Sequence, residues 1–593
     1  MSNNENEKLA SDFLTLCEQL LSSGEYQQLM TLCLEYSQFS DDESVYAYLT
    51  CAAFTLGDLD IAENAARNGM RLNDKNPDHY YNLACIMKSK RRFSNAWRFF
   101  NRTEILADDE LKSICQQEKQ EIEQLLNITP DIISPPPQKK KVLMIAYIYP
   151  PKSGPGVQRT AKMVKYLRLF GWEPVVVTVD VAGGADKGYQ YFDELPDDIE
   201  VIRVPWIAPT DQVNIDLAAK RLTGLLSGTA LDMFKSKYDK QNRQDNVELC
   251  SFPDGAVFWA HQVSSVIENV SDTTAFDIIY STSGPFSNHI AGYFIKQKFQ
   301  KPWIADFRDE WSNNFMVTKD MGSLNYLMIL DVERRILENA DGVICVTERS
   351  YDNYLKLGVF ADKLTCITNG YDEEDFEGID AGAHNNDKFT LVHNGVLYFD
   401  RTPVPILKAI KNLIDSKKID SGKITFHIGS IKDDKLETET RKSISELKLE
   451  QIAFIVPYME HRDCLELTAK ADILISITGP SADYSATYPA KIFEYLWFKK
   501  PILSFGPPDS VMEEFLHKTN SGVNVQHHDI PGIESELLRL YTDWLNGKPV
   551  KSAEHFDSMV YERKSTTKKH AEVFDRAISH SHLSFVPVPG SQK

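Results

Sequence analysis

The sequence predicts an α/β fold: two doubly wound, Rossmann-like parallel-sheet domains in tandem, preceded by an all-α repeat domain. Three observations carry this expectation. From Val142 onward, short apolar runs alternate with amphipathic helical segments, the pattern of parallel strands joined by crossover helices. The alternation restarts near Phe389, so two sheets are expected rather than one. Ahead of both, the chain shows helical periodicity with few strand signals, and residues recur at a spacing of 34.

The bulk numbers agree. A chain of 593 residues exceeds what one hydrophobic core supports, so two to four domains are expected. It is 42% hydrophobic and 25% charged, an ordinary globular composition. With 65 basic and 85 acidic residues the formal net charge is −20. That excludes a general nucleic-acid binder, which needs a positive surface, and recruitment to anionic lipid by overall charge. The nine cysteines form no CxxC pair, which speaks against a zinc cluster or a dithiol redox site. Their odd number reads as reduced thiols. The polar, acidic start MSNNENEKLASDF does not read as a secretory signal, and no apolar run approaches the ~18 residues of a membrane span. The expected location is cytoplasmic, with peripheral attachment at the inner membrane face compatible with that.

In the first domain, residues 1–126, Tyr46, Leu49, Cys51, Ala62 and Leu72 recur as Tyr80, Leu83, Cys85, Ala96 and Leu106. An earlier, looser copy surrounds Gly24-Glu25-Tyr26, parallel to Gly57-Asp58-Leu59. The period and the small residues at helix crossings resemble the tetratricopeptide repeat. Stacked hairpins bury faces that no single hairpin can bury, and they form a concave groove. This region is therefore expected to fold independently and to recognise a protein partner or a second copy of the chain. The plainer alternative is an ordinary helical cover for the next domain. Residues 127–141, with three consecutive prolines, read as a linker.

Strands are then expected at Val142–Tyr147, Val175–Val179, Asp277–Tyr280 and Gly342–Val346. A further strand leads into Asp306-Phe-Arg308-Asp309-Glu310. The second series runs through Phe389–Val392, Ile424–Ile428, Ile452–Val456, Ile473–Ile477 and Pro501–Ser504. Residues 142–385 form the first Rossmann-like domain and 386–548 the second. Residues 549–593 supply a C-terminal helix packing back on the first, plus a tail. Residues 184–262 fit the alternation poorly and read as an elaboration.

Ligands of such sheets bind at the C-terminal ends of strands, so the loops there are the candidate sites. The loop Ser153-Gly-Pro-Gly156 feeds a helix, whose free N–H groups suit a diphosphate, although the spacing is not GxGxxG and a simple turn explains it equally well. Arg308 and Asp309 end a strand, as cleft residues or as a structural ion pair. His289 starts a helix, as a catalytic or hydroxyl-binding group or as a packing histidine. In the second domain, His393-Asn394-Gly395 ends a strand and Arg401 follows in the loop, suited to bidentate phosphate contact. Pro489 is consistent with the first turn of a helix. Lys491 and Glu494 then lie on neighbouring helical surface, placed for phosphate and ribose hydroxyls or as a surface ion pair.

Together these segments resemble the glycosyltransferase family 4 (group 1) enzymes of the GT-B fold, over roughly residues 141–580. Stations in the family's order are Ser153–Gly156 with Arg159, Asn339–Thr347, Thr368-Asn-Gly-Tyr-Asp372 with Phe376, Ala471-Asp472, and Pro489-Ala-Lys-Ile-Phe-Glu494-Tyr-Leu through Pro501. The resemblance implies a retaining, metal-independent hexosyltransferase with a nucleotide sugar, UDP- or GDP-linked, in the interdomain cleft. It implies no cofactor. The acceptor would be a glycan, a lipid-linked sugar or a protein, and the setting surface polysaccharide or glycoconjugate synthesis. Donor and nucleotide binding fall to Gly154, Gly156, Asn394, Gly395, Arg401, Tyr458, Thr487, Lys491 and Glu494, and chemistry to Asp309, Arg308 and His289. Glu494 matches the second Glu of the family's E-x7-E motif. The first falls on Ala486, a departure that puts donor identity in doubt; Asp483 is the nearby substitute. Arg308-Asp309 stands at the family's His-Asp station. Two alternatives remain: a non-catalytic repeat adaptor with a degenerate sugar-nucleotide module, and another GT-B chemistry such as a sugar-nucleotide epimerase or a phosphorylase.

Overall fold

The computed structural model describes residues 3–37, 42–126, 138–152, 155–180, 194–196, 198–206, 212–238, 243–269, 276–314, 317, 320–381, 387–547 and 556–583. Most of the Pro-rich linker, the glycine-loop residue Gly154 and parts of the 184–262 elaboration lie outside them. The chain divides into two compact units. One is Met1–Pro135 together with Glu373–Gly378, and the other is Pro136–Asp372 with Ile379–Lys593.

The first unit is a stack of helices: α1 (Asn3–Ser23), α2 (Tyr26–Tyr36), α3 (Glu43–Leu56), α4 (Leu59–Leu72), α5 (Pro77–Ser89), α6 (Phe93–Leu106) and α7 (Asp109–Leu126). Their starts are written in the sequence. The Asp42, Asp58 and Asn76 side chains accept from backbone N–H groups of the first turns of α3, α4 and α5, satisfying donors that would otherwise be orphaned. The repeated pairs Leu49/Leu83 and Ala62/Ala96 are buried, whereas Cys51 and Leu72 are exposed. The interior pairs, not the whole pattern, therefore carry the repeat. The turn that ends the first helix of each hairpin recurs as well. Gly24 and Gly57 sit at φ +75° and +80°, and Arg91 occupies the same turn at φ +58°. Glycine takes that conformation without a Cβ penalty and arginine does not, so the turn geometry outlasts the residue that signals it. This unit also holds the segment Glu373–Gly378. The Glu377 carboxylate accepts from Ser94 N at 3.0 Å, and Glu374 accepts from Arg98 at 3.0 Å. Burial and the neighbouring Glu374 charge push the Glu377 carboxyl up to about 7. The helical unit is thus not confined to residues 1–126, because a short acidic segment from the middle of the chain completes it.

The second unit contains two parallel sheets. The first joins β1 (Lys140–Ile145), β2 (Trp172–Asp180), β3 (Glu200–Pro205), β4 (Ile278–Thr282), β5 (Trp303–Phe307), β6 (Gly342–Cys345) and β7 (Leu364–Cys366) in the order β3-β2-β1-β4-β5-β6-β7. The second joins β8 (Phe389–His393), β9 (Ile424–Ile428), β10 (Ala453–Ile455), β11 (Ile473–Ile477), β12 (Ile502–Phe505) and β13 (Gly522–Val525) in the order β10-β9-β8-β11-β12-β13. Strand order reverses between β1 and β4 and between β8 and β11. These two switch points open crevices at the C-terminal strand ends. The central strands are buried on both faces: β4, β5, β6, β8, β11 and β12 have no exposed residue. That is why they read as continuous apolar runs. This is the two-Rossmann, GT-B arrangement.

The poorly patterned region contains β3 and the helices Gln212–Leu225, Gly228–Lys237, Arg243–Cys250 and Val257–Asn269. Their apolar faces join the core of the first sheet through Ile215, Leu222, Phe234 and Trp259. The C-terminal helix Arg563–Leu583 covers the other face of that sheet. Phe574 stacks edge-on against Trp172 at 5.3 Å and Tyr280 at 5.8 Å. Beside it lies a buried charge network. Arg159 Nε and Nη2 both donate to Asp306 at 2.8 Å, and Tyr280 and Thr282 donate to the same carboxylate. Burial alone would raise the Asp306 pKa, but the Arg159 charge outweighs it and holds the carboxyl well below the usual range. Arg159 also donates to the carbonyls of Ile367 and Thr368. One turn on, Lys162 and Lys165 meet Asp372 at 2.8 and 2.7 Å. A single face of helix Pro155–Leu167 thus fixes the chain where it leaves the first sheet.

Candidate functional site: a cationic cradle at the second switch point

Two groups of residues stand at the two switch points. At the second, the loops after β8 and β11 meet. Close approach there depends on glycines. A Cβ on Gly429 would fall 1.9 Å from Gly395 O, so the loops after β9 and β8 touch through bare backbone. A Cβ on Gly395 would fall 1.5 Å from Lys491 Nζ and 2.9 Å from His393 Nε2. The missing side chain leaves a niche that the ammonium fills. Arg401 flanks it, its guanidinium stacked over the rings of Tyr398 at 4.4 Å and Tyr484 at 5.3 Å. Its Nε is buried with no hydrogen-bond partner among the described residues. Tyr484 is held in turn by donating to Asp400 at 2.7 Å.

Lys491 shares this region with the Arg401 cation and the Glu494 carboxylate. Burial pulls the Lys491 ammonium down to about 8; Glu494 and Cys464 oppose the shift and Arg401 adds to it. Glu494 lies one turn on, accepting from His461 Nε2 at 2.9 Å. Burial raises its pKa, and the His461 and Lys491 charges more than offset that, so it stays ionised below its usual range. His393 Nδ1 faces the Ile475 carbonyl at 2.9 Å. The carbonyl accepts, so the proton is on Nδ1 and Nε2 carries a lone pair. Burial first, then Lys491 and Arg401, lower this histidine to about 3.

Several expected residues fall in or beside this cradle: Gly395, Arg401, Lys491 and Glu494. Asn394 is structural on one side, its Nδ2 donating to Thr468 at 2.8 Å while Tyr495 donates to its Oδ1 at 3.0 Å. Thr487 closes the loop by donating from its backbone to Tyr484 at 3.0 Å. Tyr458 lies on the loop after β10, exposed, with Lys432 over its ring at 5.2 Å. The expected helix start at Pro489 is displaced. The helix is Ile492–Trp497 with Lys491 as its N-cap, so Pro489 and Lys491 precede it and Lys491 turns inward rather than pairing along a surface. Asp483, at the loop expected to replace the missing glutamate, is exposed and accepts from its neighbour Ser481. Ala486 ends the short 3-10 turn Ala482–Ala486.

At the first switch point Arg308 spans two loops. It donates to Gly156 O at 3.1 Å, and a Cβ on Gly284 would strike its Nη2 at 2.1 Å. Gly284 is also at φ +74°, so glycine is required there twice over. Asp309 is half-exposed, its carboxylate 3.6 Å from Arg308 Nε. The two residues thus form an ion pair just after β5. Asp306, two residues earlier, belongs wholly to the buried network. His289 does not reach the crevice. It is fully buried, with Nδ1 2.8 Å from Ser281 Oγ and its ring 4.4 Å from Phe307, and burial drops its pKa to about 3. It is a packing histidine in the helix Ser287–Phe299. The walls meet where Tyr488 donates to Glu348 at 3.3 Å and Arg349 donates to Asp509 O at 2.7 Å.

Sequence reading passed over His393, His461, Asp400 and Tyr484. His393 ends an apolar strand, and a polar residue in that place is itself a signal. His461 is 33 residues from its partner Glu494, and Tyr484 is 84 residues from its partner Asp400, beyond any local pattern.

Residues 154–370 match the family model described as glycosyl transferase 4-like domain. No curated protein matches the chain. Among solved structures, a glycosyltransferase from Rickettsia africae superposes with a TM-score of 0.46 at 13% identity, covering 75% of this chain and 97% of its own. Anabaena HepE in complex with UDP-glucose gives 0.44 at 14%, covering 75% and 100%. An O-GlcNAc transferase variant from Thermobaculum terrenum gives 0.38 at 11%, covering 98% and 100%. Among the described residues no helix is long and apolar enough to cross a membrane. The matched stretch begins after β1 and ends just beyond β7, so over residues 154–370 the chain carries a glycosyl transferase 4-like domain.

Proposed function

We propose that this chain is a glycosyltransferase that takes a sugar from a nucleoside-diphosphate donor held at the β8/β11 switch point. The observation that carries the reading is the cradle itself: Lys491 over Gly395, and Arg401 with a buried, unpartnered Nε, next to an ionised Glu494. A diphosphate supplies the charge the two cations lack, and preorganised cations stabilise it as a leaving group. In this reading Glu494 accepts ribose hydroxyls, with His461 releasing Oε1. UDP- and GDP-sugars are the first donors to test. Retention of configuration, a carbohydrate, lipid-linked or protein acceptor, and a role in surface glycan synthesis belong to the same proposal. The helical unit would supply recognition of a partner, of the acceptor or of a second copy. The test is incubation of the full chain with a panel of nucleotide sugars, following release of nucleoside diphosphate. Turnover of one donor supports the reading. Binding without any turnover, with or without candidate acceptors, favours the adaptor alternative, which the Ala486 departure keeps open.

Two expected outcomes follow. The charge at the leaving group is met by Arg401 and Lys491, so transfer should persist in EDTA. Abolition by EDTA with rescue by manganese would contradict this. On the facing wall, Asp309→Asn should lower turnover while nucleotide affinity stays within about threefold, ~0.7 kcal/mol. Full turnover would remove Asp309 from the chemistry.

A further inference from the structure

The link between the two sheets leaves their unit and returns to it. β7 ends at Cys366 and β8 begins at Phe389. Up to Asp372 the link is tied to helix Pro155–Leu167, because the Asp372 carboxylate accepts from Tyr166 at 2.7 Å and meets Lys162 and Lys165. Glu373–Gly378 then belongs to the helical unit, and from Ile379 the chain is back in the unit of the sheets. The hold on this segment fills a gap in the repeat. One repeat earlier, Gly57 makes the turn and Asp58 caps α4, accepting from Ile61 N at 3.1 Å. The equivalent residues before α6 are Arg91, at φ +58°, and Arg92, whose side chain makes no capping bond. This helix start lacks both the glycine and the cap. Glu377 supplies the cap from the link. Its carboxylate accepts from Ser94 N at 3.0 Å and from the Ser94 hydroxyl, at a helix end that favours negative charge. One turn on, Glu374 accepts from Arg98 at 3.0 Å, and Arg98 also donates to Asn95 at 3.0 Å. Gly378, at φ +69°, leaves room for Arg91: a Cβ there would lie 2.8 Å from Arg91 Cβ. Phe376, between the two glutamates in sequence, is buried. We propose that α6 is a clamp on the hinge between the two sheets: it holds Glu373–Gly378 and so steadies the contact between the facing walls of the cleft.

Closure of two domains around a ligand is absorbed by a few residues of the chain that joins them. Here the chain passes between the sheets twice, after β7 and again between helix Ile530–Leu545 and helix Arg563–Leu583. The two passes are tied to each other. Tyr371 and Glu562 form a parallel bridge, Tyr371 N donates to Tyr561 O at 3.1 Å, and Arg563 N donates to Tyr371 O at 2.7 Å. A link fixed at Asp372 and again at Glu377 keeps fewer free dihedrals for hinge motion. With the link so held, the walls meet through Tyr488 with Glu348 and through Arg349 with Asp509 O. The clamp and the meeting walls occur together, so release of the segment should loosen the walls. The coupling requires no particular ligand in the cleft and stands apart from the donor reading. It gives the helical unit a route to the cleft through the chain itself.

The experiment is backbone hydrogen–deuterium exchange on the full chain, read by mass spectrometry. It compares wild type, Glu377→Ala, Arg98→Glu, and the charge swap that combines Arg98→Glu with Glu374→Arg. In each single variant, exchange over 373–378 and over the first turn of α6 should quicken roughly five- to tenfold, the scale of one lost cap. Exchange at the facing walls, 346–352 and 484–492, should quicken with it. α3, α4 and β11 should keep their wild-type rates, and the charge swap should restore wild-type exchange in the segment and at the walls. Wild-type exchange of 373–378 in both single variants overturns the clamp. Release of 373–378 with the walls at wild-type rates overturns the coupling and leaves α6 with a borrowed cap alone. Equal quickening in α3, α4 and β11 marks a general loss of stability and overturns the coupling as well. If Glu377→Ala does not fold, Arg98→Glu and its charge swap give the same reading.

Discussion

Arg159→Ala is expected to destabilise the second unit by about 3–5 kcal/mol, the range for removing one partner of a buried ion pair. The reason is what remains. Asp306 would stay fully buried, with the hydroxyls of Tyr280 and Thr282 as its nearest donors and no opposing guanidinium. The Ile367 and Thr368 carbonyls would also lose their donor. His570 Nε2 lies 3.3 Å from Arg159, and burial with the Arg159 charge holds it near 4. Removing that charge should let His570 protonate and recover part of the loss at low pH. The variant should therefore be closer to wild type at pH 5 than at pH 8. Urea denaturation at both pH values, followed by tryptophan fluorescence, measures it. A loss below about 1 kcal/mol at pH 8 would show that the network is not a keystone of the fold.

The second large effect concerns binding. Lys491→Ala should weaken donor binding by roughly 30- to 150-fold, about 2–3 kcal/mol, with little change in melting temperature. A charge-assisted contact to phosphate is lost, yet the free protein loses a crowded cation rather than a satisfied one. Arg401→Ala should act in the same direction. The two losses should not add, because each cation lowers the other's standing in the empty site. The comparison is calorimetry on wild type, both single variants and the double variant. An effect of Lys491→Ala within threefold would place the diphosphate elsewhere.

What could be read from residues alone divides along physical lines. Central strands such as β4, β8 and β11 were legible because burial on both faces leaves an uninterrupted apolar run. The edge strands β3, β7 and β13 were not: Glu200-Val-Ile-Arg-Val-Pro205 mixes charged and apolar residues and is partly exposed, and β7 spans only Leu364–Cys366. The helix start at Pro489 was misplaced because proline at a first turn is a preference. Here Pro489 opens a turn, its carbonyl accepting from Ile492 N at 3.0 Å, and the helix itself starts at Ile492. The cations of the cradle were legible as residue types at strand ends. Their convergence was not, since it depends on Gly395 and Gly429 letting two loops touch. His289 illustrates the converse case. A histidine at a helix start reads equally as a site group or a packing group, and the burial of its ring against Phe307 and Ser281 is visible only in the structure. The acidic segment Glu373–Gly378, completing the helical unit through Ser94 and Arg98, lies 283 and 276 residues along the chain from these partners and left no local trace.

The account turns on Glu494 meeting a ribose and Lys491 with Arg401 meeting a diphosphate, and one comparison separates those roles. The full-length wild type and Glu494→Ala are titrated with UDP, GDP, ADP and CDP, and with inorganic pyrophosphate as the ligand that has no ribose. In wild type one nucleoside diphosphate should bind and, at 100 times its dissociation constant, raise stability by ~2.7 kcal/mol. In Glu494→Ala its affinity should fall about tenfold or more, ~1.4 kcal/mol, while pyrophosphate affinity stays unchanged or improves as a buried carboxylate leaves the niche. Equal losses for nucleotide and pyrophosphate, or no nucleotide bound by wild type, would contradict the assignment of this cradle as the donor site.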